Sequence, residues 1–115
     1  MPIAQVFSGT QVIGTTERDL PTNTTTLSQQ AVDGIYQAFI DLSTLTVTES
    51  YRLRIYEMAL TAGVQRVVDD VVIAGVQSEP IYVTPALLLI HGWTFTLQKL
   101  QGTDRSIVWS IRQVA

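Results

Sequence analysis

Apolar and polar residues alternate at a period of two over most of this chain, and no stretch reads as a helix. The clearest alternation is at the C-terminal end, Trp93 to Val114, WTFTLQKLQGTDRSIVWSIRQV. Successive strand side chains point to opposite sides, so Trp93, Phe95, Leu97 and Lys99 share one face, and Ile107, Trp109 and Ile111 share another. Two such runs around a Gly-containing segment predict a β-hairpin. Pairing apolar with apolar sets Phe95 opposite Trp109, Leu97 opposite Ile107 and Trp93 opposite Ile111, with Leu100 to Asp104 looping around Gly102. A slip of one residue would bury Thr94, Thr96 and Gln98 instead. Trp93, Phe95, Leu97, Ile107, Trp109 and Ile111 are therefore the predicted core, each large aromatic contributing roughly 3 kcal/mol on burial.

The rest of the chain reads as shorter strands. Residues 1–30 are polar and sparsely charged, and are expected to form an arm with edge strands at Ile3–Phe7 and Gln11–Ile13, separated by Ser8-Gly9-Thr10. Such an arm is also a candidate for docking on a neighbouring subunit. Asp19 to Asn23 is a turn by its Pro and Asn, and the β-branched Thr24 to Thr26 could start an edge strand. In Gly34–Leu42 the better core face is Tyr36, Ala38, Ile40 and Leu42, leaving Ile35, Gln37, Phe39 and Asp41 on the other. Ser43 to Glu49 is a polar connection with Leu45 and Val47 tucked in.

Ser50–Leu60 predicts a long strand with Tyr51, Leu53 and Ile55 on one face and Arg52, Arg54, Tyr56 and Met58 on the other. Gly63 is placed to end a four-residue hairpin loop in a left-handed conformation. That closure sets Glu57 opposite Arg66, Arg54 opposite Asp69, and Leu53 against Asp70; the last mismatch predicts a bulge at Asp69-Asp70. Gly75 to Pro80 is a turn, Ile81-Tyr82-Val83 a short strand, and Ala86 to Ile90 an apolar run expected to be buried on both sides, by its own fold or by a partner. About eight strands with turns at short intervals predict an all-β protein: an antiparallel β-sandwich of jelly-roll or Ig-like type, or a small barrel, in one domain spanning 1–115.

Composition changes the picture in one respect. Charged residues make up 15% of the chain against a usual figure of about 25%, apolar residues 46%, and mean hydropathy is +0.24. A free monomer of this size normally carries more surface charge. The expectation is a surface rich in Ser, Thr, Gln and Asn, or one partly covered by partner chains. Net charge is −3 with no basic run, which argues against nucleic acid. No apolar run approaches the length of a membrane span, and the N-terminus lacks the pattern of a signal peptide. Cysteine is absent, so disulfides and zinc–thiolate sites are excluded.

Candidate chemistry is thin. His91 is the only histidine and has no cysteine or second histidine to pair with; it reads as a turn residue beside Gly92. Asp69-Asp70 reads as a bulge or solvated pair, not a calcium loop. Neither Ser8-Gly9 nor Gln101-Gly102-Thr103 is followed by a phosphate-binding lysine motif. Asp33, Asp41 and Glu49 lie in separate segments, and nothing joins them as a glycosidase pair. The expectation is no catalytic residue, metal or cofactor. The candidate interface is the stripe Arg52, Arg54, Tyr56 and Met58, rich in the residue types of interface cores, together with Leu87 and Leu89.

The block formed by Tyr51–Glu57, His91-Gly92-Trp93, Gly102–Arg105 and Trp109–Arg112 resembles small β-rich virion proteins of tailed bacteriophages, with Gly34–Ser43 as a weaker extension. Among those it is most similar to head decoration, or cement, proteins. The resemblance implies a β-sandwich, a homo-oligomer with a trimer favoured, contact with the major capsid protein, a place on the capsid surface after assembly in the host cytoplasm, and no catalytic residue. The polar N-terminal third matches least. Two other readings stand beside it: a carbohydrate-binding β-sandwich module, disfavoured because both tryptophans fall on the core face, and a tail or neck component of the same kind of particle.

Overall fold

The computed structural model describes residues 3–114. Nine strands follow one another: β1 (Ile3–Ile13), β2 (Arg18–Asp19), β3 (Gly34–Asp41), β4 (Ser50–Glu57), β5 (Arg66–Ala74), β6 (Ile81–Val83), β7 (Leu87–Leu89), β8 (Thr94–Gln101) and β9 (Arg105–Val114). They form two antiparallel sheets. Sheet I runs β1-β9-β3-β6, with β7 also on β3; sheet II runs β2-β8-β4-β5. The pairs β1 with β9, β2 with β8, β3 with β6 and β7, and β4 with β5 make the chain one long hairpin, folded over on itself across the two sheets. That is the strand order of a jelly roll, so of the two sandwich types expected, the structure adopts this one.

The interruption between β6 and β7 has a local cause. Pro85 has no N–H to give β3. Thr84 bridges the gap instead: its N–H donates to Ala38 O at 3.0 Å and its Oγ1 accepts from Ala38 N at 2.9 Å.

The core lies between the sheets. Sheet II and its approach supply Trp93, Phe95, Leu97, Tyr51, Leu53 and Ile55; sheet I supplies Ile107, Trp109, Ile111, Tyr36, Ala38 and Ile40, all buried. Trp93 is its aromatic centre, with Tyr36 at 4.2 Å and Phe95 at 5.9 Å between ring centroids. The expected core faces are thus the buried ones, but the expected hairpin is not formed. β8 and β9 belong to opposite sheets, so Phe95 and Trp109 line the core from opposite sides and are not cross-strand neighbours. Alternation identifies the apolar face of a strand; it does not say whether the next strand lies beside it or across from it.

The residues between β8 and β9 show what turns the chain from sheet to sheet. Glu49 is buried, and its carboxylate accepts from Thr46 N (2.7 Å), Thr103 N (3.1 Å) and Arg105 Nε (2.8 Å). Tyr51 Oη accepts from Arg105 N at 2.8 Å and donates to Thr103 O at 3.1 Å. Lys99 pairs with Asp104. Gly102, at φ +96°, lies 3.0 Å (measured from an added Cβ) from Glu49 Cα, so a side chain there has no room. Burial alone would raise the Glu49 pKa, but the donors from Thr46, Arg105 and Thr103 outweigh it and hold the group at about 2.

Other expectations need adjustment. The two N-terminal strands are one strand, β1, because β9 offers a partner along its whole length, with an irregularity between Gln5 and Phe7. Thr24 makes only an isolated bridge to Asp19. In the β4–β5 hairpin Glu57 does pair with Arg66, but the bulge falls at Val68, so Arg54 faces Asp70 and Leu53 faces Val71. The earlier bulge removes the contact of a leucine with a carboxylate. Ala62, at φ 61°, takes the left-handed position expected for Gly63. Leu45 is buried as expected, whereas Val47 is 81% exposed.

Candidate functional site: the open outer face of sheet I

The two sheets present different outer faces. That of sheet II is partly closed by the chain itself. Glu17 accepts from Tyr56 Oη (2.7 Å) and Thr96 Oγ1 (2.5 Å). Asp19, buried, accepts from Thr94 Oγ1 (2.5 Å), Thr22 Oγ1 (2.7 Å) and the N–H of Ser28 (3.0 Å). Gln65 Nε2 ties Ser28 O and Gly92 O together at 2.8 and 2.7 Å. Segment 17–30, part of the predicted polar arm, therefore docks on its own sheet. The sequence showed this segment as a turn at Asp19–Asn23 and a possible edge strand from Thr24; the short polar side chains around Asp19 were the one visible sign of the closure.

This closure decides the fate of the Arg52–Met58 stripe. Tyr56 and Met58 are buried, the latter against Gly92. Arg52 and Arg54 are half-buried and share Asp70, at 3.2 and 3.4 Å. The stripe offers a partner little beyond two arginines already engaged. In β7 Leu89 is buried and Leu87 packs against the core, so the outward residue is Leu88, 80% exposed. The run Ala86–Ile90 is accordingly not buried on both sides within the chain.

The outer face of sheet I is uncovered among the described residues. Register places its side chains in rows across the strands. The first row is Ile3, Val114, Ile35 and Leu88, from β1, β9, β3 and β7. Every member is apolar; Ile3 is 70% exposed and Ile35 37%. The second is Gln5, Arg112 and Gln37. The third is Ser8, Ser110, Phe39 and Val83, and the fourth Thr10, Val108, Asp41 and Ile81. The Arg112 guanidinium sits 3.7 Å from the Phe39 ring centroid, a cation–π contact between the second and third rows. The second to fourth rows form an open depression of about 410 Å³, lined by Ser8, Thr10, Phe39, Asp41, Ser110 and Arg112 among others. The outward set of β3 was legible in the sequence; the rows were not, because they depend on which strands lie beside it.

The titratable groups singled out from the sequence are not brought together. Asp41 lies on the open face, where hydrogen bonds from Ser43 lower its pKa; Glu49 is buried against Arg105; Asp33 gives its carbonyl to Gln113. His91 lies within 3.3 Å of Thr61 Oγ1, in the turn before β8. Glu57 accepts from Ile90 N and His91 N at 2.7 and 2.9 Å and so anchors that turn. No group of three His, Cys, Asp or Glu among the described residues is placed to hold a metal ion. Comparison with family models, with curated proteins and with solved structures finds no match to the chain.

Proposed function

We propose that this protein is a non-enzymatic structural subunit of a phage particle: a capsid decoration protein that works as a homo-oligomer and bridges joints between subunits of the major capsid protein. The observation that carries the reading is the apolar row Ile3–Val114–Ile35–Leu88 on an uncovered sheet face. An exposed apolar row of this kind marks an interaction surface, and the low content of charged residues, 15%, fits a chain that spends its working life partly covered. The carboxylates of Asp19, Glu49 and Glu57 are engaged by donors of the fold, which supports a role without catalysis. Jelly rolls recur in viral capsid proteins and in lectins, an analogy of fold and not of site. The role is mechanical: each copy adds contacts across a joint, and repetition multiplies a modest affinity.

A carbohydrate-binding module is the second reading, favoured by the hydroxyl-lined depression on the same face. Against it, both tryptophans are buried and the face of Phe39 is taken by Arg112. Mixing the purified protein with undecorated capsids and pelleting them separates the two. Co-sedimentation with a raised capsid melting temperature is the expected result. Retention on polysaccharide without capsid binding would favour the module, and binding to isolated tails would favour a tail component.

A further inference from the structure

The assembly reading leaves the immediate occupant of the sheet I face to be identified. Resting on that reading, we infer that it is a second copy of this chain, in an isologous pair whose two-fold axis runs along the strands, between β9 and β3. Such an axis keeps each row in register and reverses the strand order, so β1 lies over the β6–β7 edge of the second copy and β9 over its β3. The apolar row then meets itself: Ile3 sits over Leu88 of the second copy, and Val114 over its Ile35. In the next row Arg112 sits over Gln37 of the second copy; the two Arg112 residues flank the axis one strand spacing apart, each held on its own Phe39 ring.

A two-fold axis across the strands is the other way to face this sheet with itself. It would set the apolar row near the pair of Val12 and Ser106 at the far end of the face and leave its seam unmatched. Area also fits. Four strands at ~4.8 Å spacing and ~33 Å of strand length give roughly 600 Å² per copy and ~1,200 Å² in total, at the lower bound for a stable specific interface. The seam would be dry, while the hydroxyl-lined depressions would face each other and hold bridging water.

Sedimentation equilibrium of the purified full chain tests this. The expected mass is twice the chain's 12.7 kDa; a trimer, the state the phage resemblance implies, would overturn the pair. Leu88→Glu and Ile3→Lys alter exposed side chains, so each variant should keep its circular dichroism spectrum while its self-association weakens at least tenfold. An equimolar mixture of the two should regain at least tenfold. One end of the seam would then pair the two opposite charges, and the other would keep native Ile3 over native Leu88. Variants that dissociate without recovery on mixing would overturn the two-fold geometry. A wild-type oligomer indifferent to both substitutions, or a monomer that still pellets with capsids, would overturn the pair and leave the assembly reading standing. A monomer that binds no capsid would overturn both.

Discussion

Gly9 and Trp109 are the two sides of one contact, and a double-mutant cycle between them tests how β1 packs on β9. The two are paired in register, and an added Cβ on Gly9 would stand 2.5 Å from Cζ2 of Trp109 and 3.0 Å from Cη2. Trp109 is 2% exposed, and its Nε1 donates to Leu20 O at 3.2 Å. Trp109→Ala removes the ring and that donor together, an expected loss of about 3–5 kcal/mol from a total of about 5–15. Gly9→Ala overpacks the same spot, at about 1–3 kcal/mol. The effects are coupled. Trp109→Phe withdraws the ring atoms that Gly9→Ala would strike, so the glycine substitution should become nearly neutral in that background, a coupling of about 1–3 kcal/mol. Urea unfolding followed by the fluorescence of Trp93, fully buried and present in every variant, reads the four stabilities. An equal cost of Gly9→Ala in both backgrounds would refute the packing of Trp109 against β1.

Three further outcomes follow from the hydrogen-bonded connections. The Glu49 pKa is lowered from 4.5 to about 2, so its contribution is complete above about pH 4.5 and is lost as pH falls toward 2; the difference in urea midpoint between wild type and Glu49→Gln should shrink over that window and stay constant above it. Gly102→Ala places a side chain at φ +96° and against Glu49, so thermal unfolding should show a loss of at least about 2 kcal/mol. Asp19→Ala strips Thr94, Thr22 and Ser28 of their acceptor, and is expected to cost about 3 kcal/mol or more in urea unfolding and to speed amide exchange at the Thr22 and Ser28 N–H groups.

The strands and their buried faces were legible because a half-buried strand imposes a period of two on its residues. Tyr36, Ala38 and Ile40, or Tyr51, Leu53 and Ile55, need no knowledge of their neighbours to be assigned inward. Pairing was legible only where the connection is short, as between β4 and β5, and there the bulge was misplaced by a residue because Val67 and Val68 look alike in the alternation. The β8–β9 crossing was hidden because what directs it, Glu49 and Tyr51, lies some fifty positions away in the chain, at |i−j| of 54 from Thr103 and Arg105. The open face was hidden for the same reason. Ile3, Val114, Ile35 and Leu88 come from four strands, and only their registers make one row of them.

Hydroxyl-radical footprinting of the free chain at low and high concentration, and of the chain bound to capsids, tests the open face most directly. Ile3, Ile35 and Leu88, exposed in the free chain, should lose reactivity on assembly, while Leu60 and Val64, exposed at the β4–β5 tip, should keep theirs. Unchanged reactivity along the Ile3–Leu88 row, with protection at Leu60 and Val64 instead, would contradict that expectation.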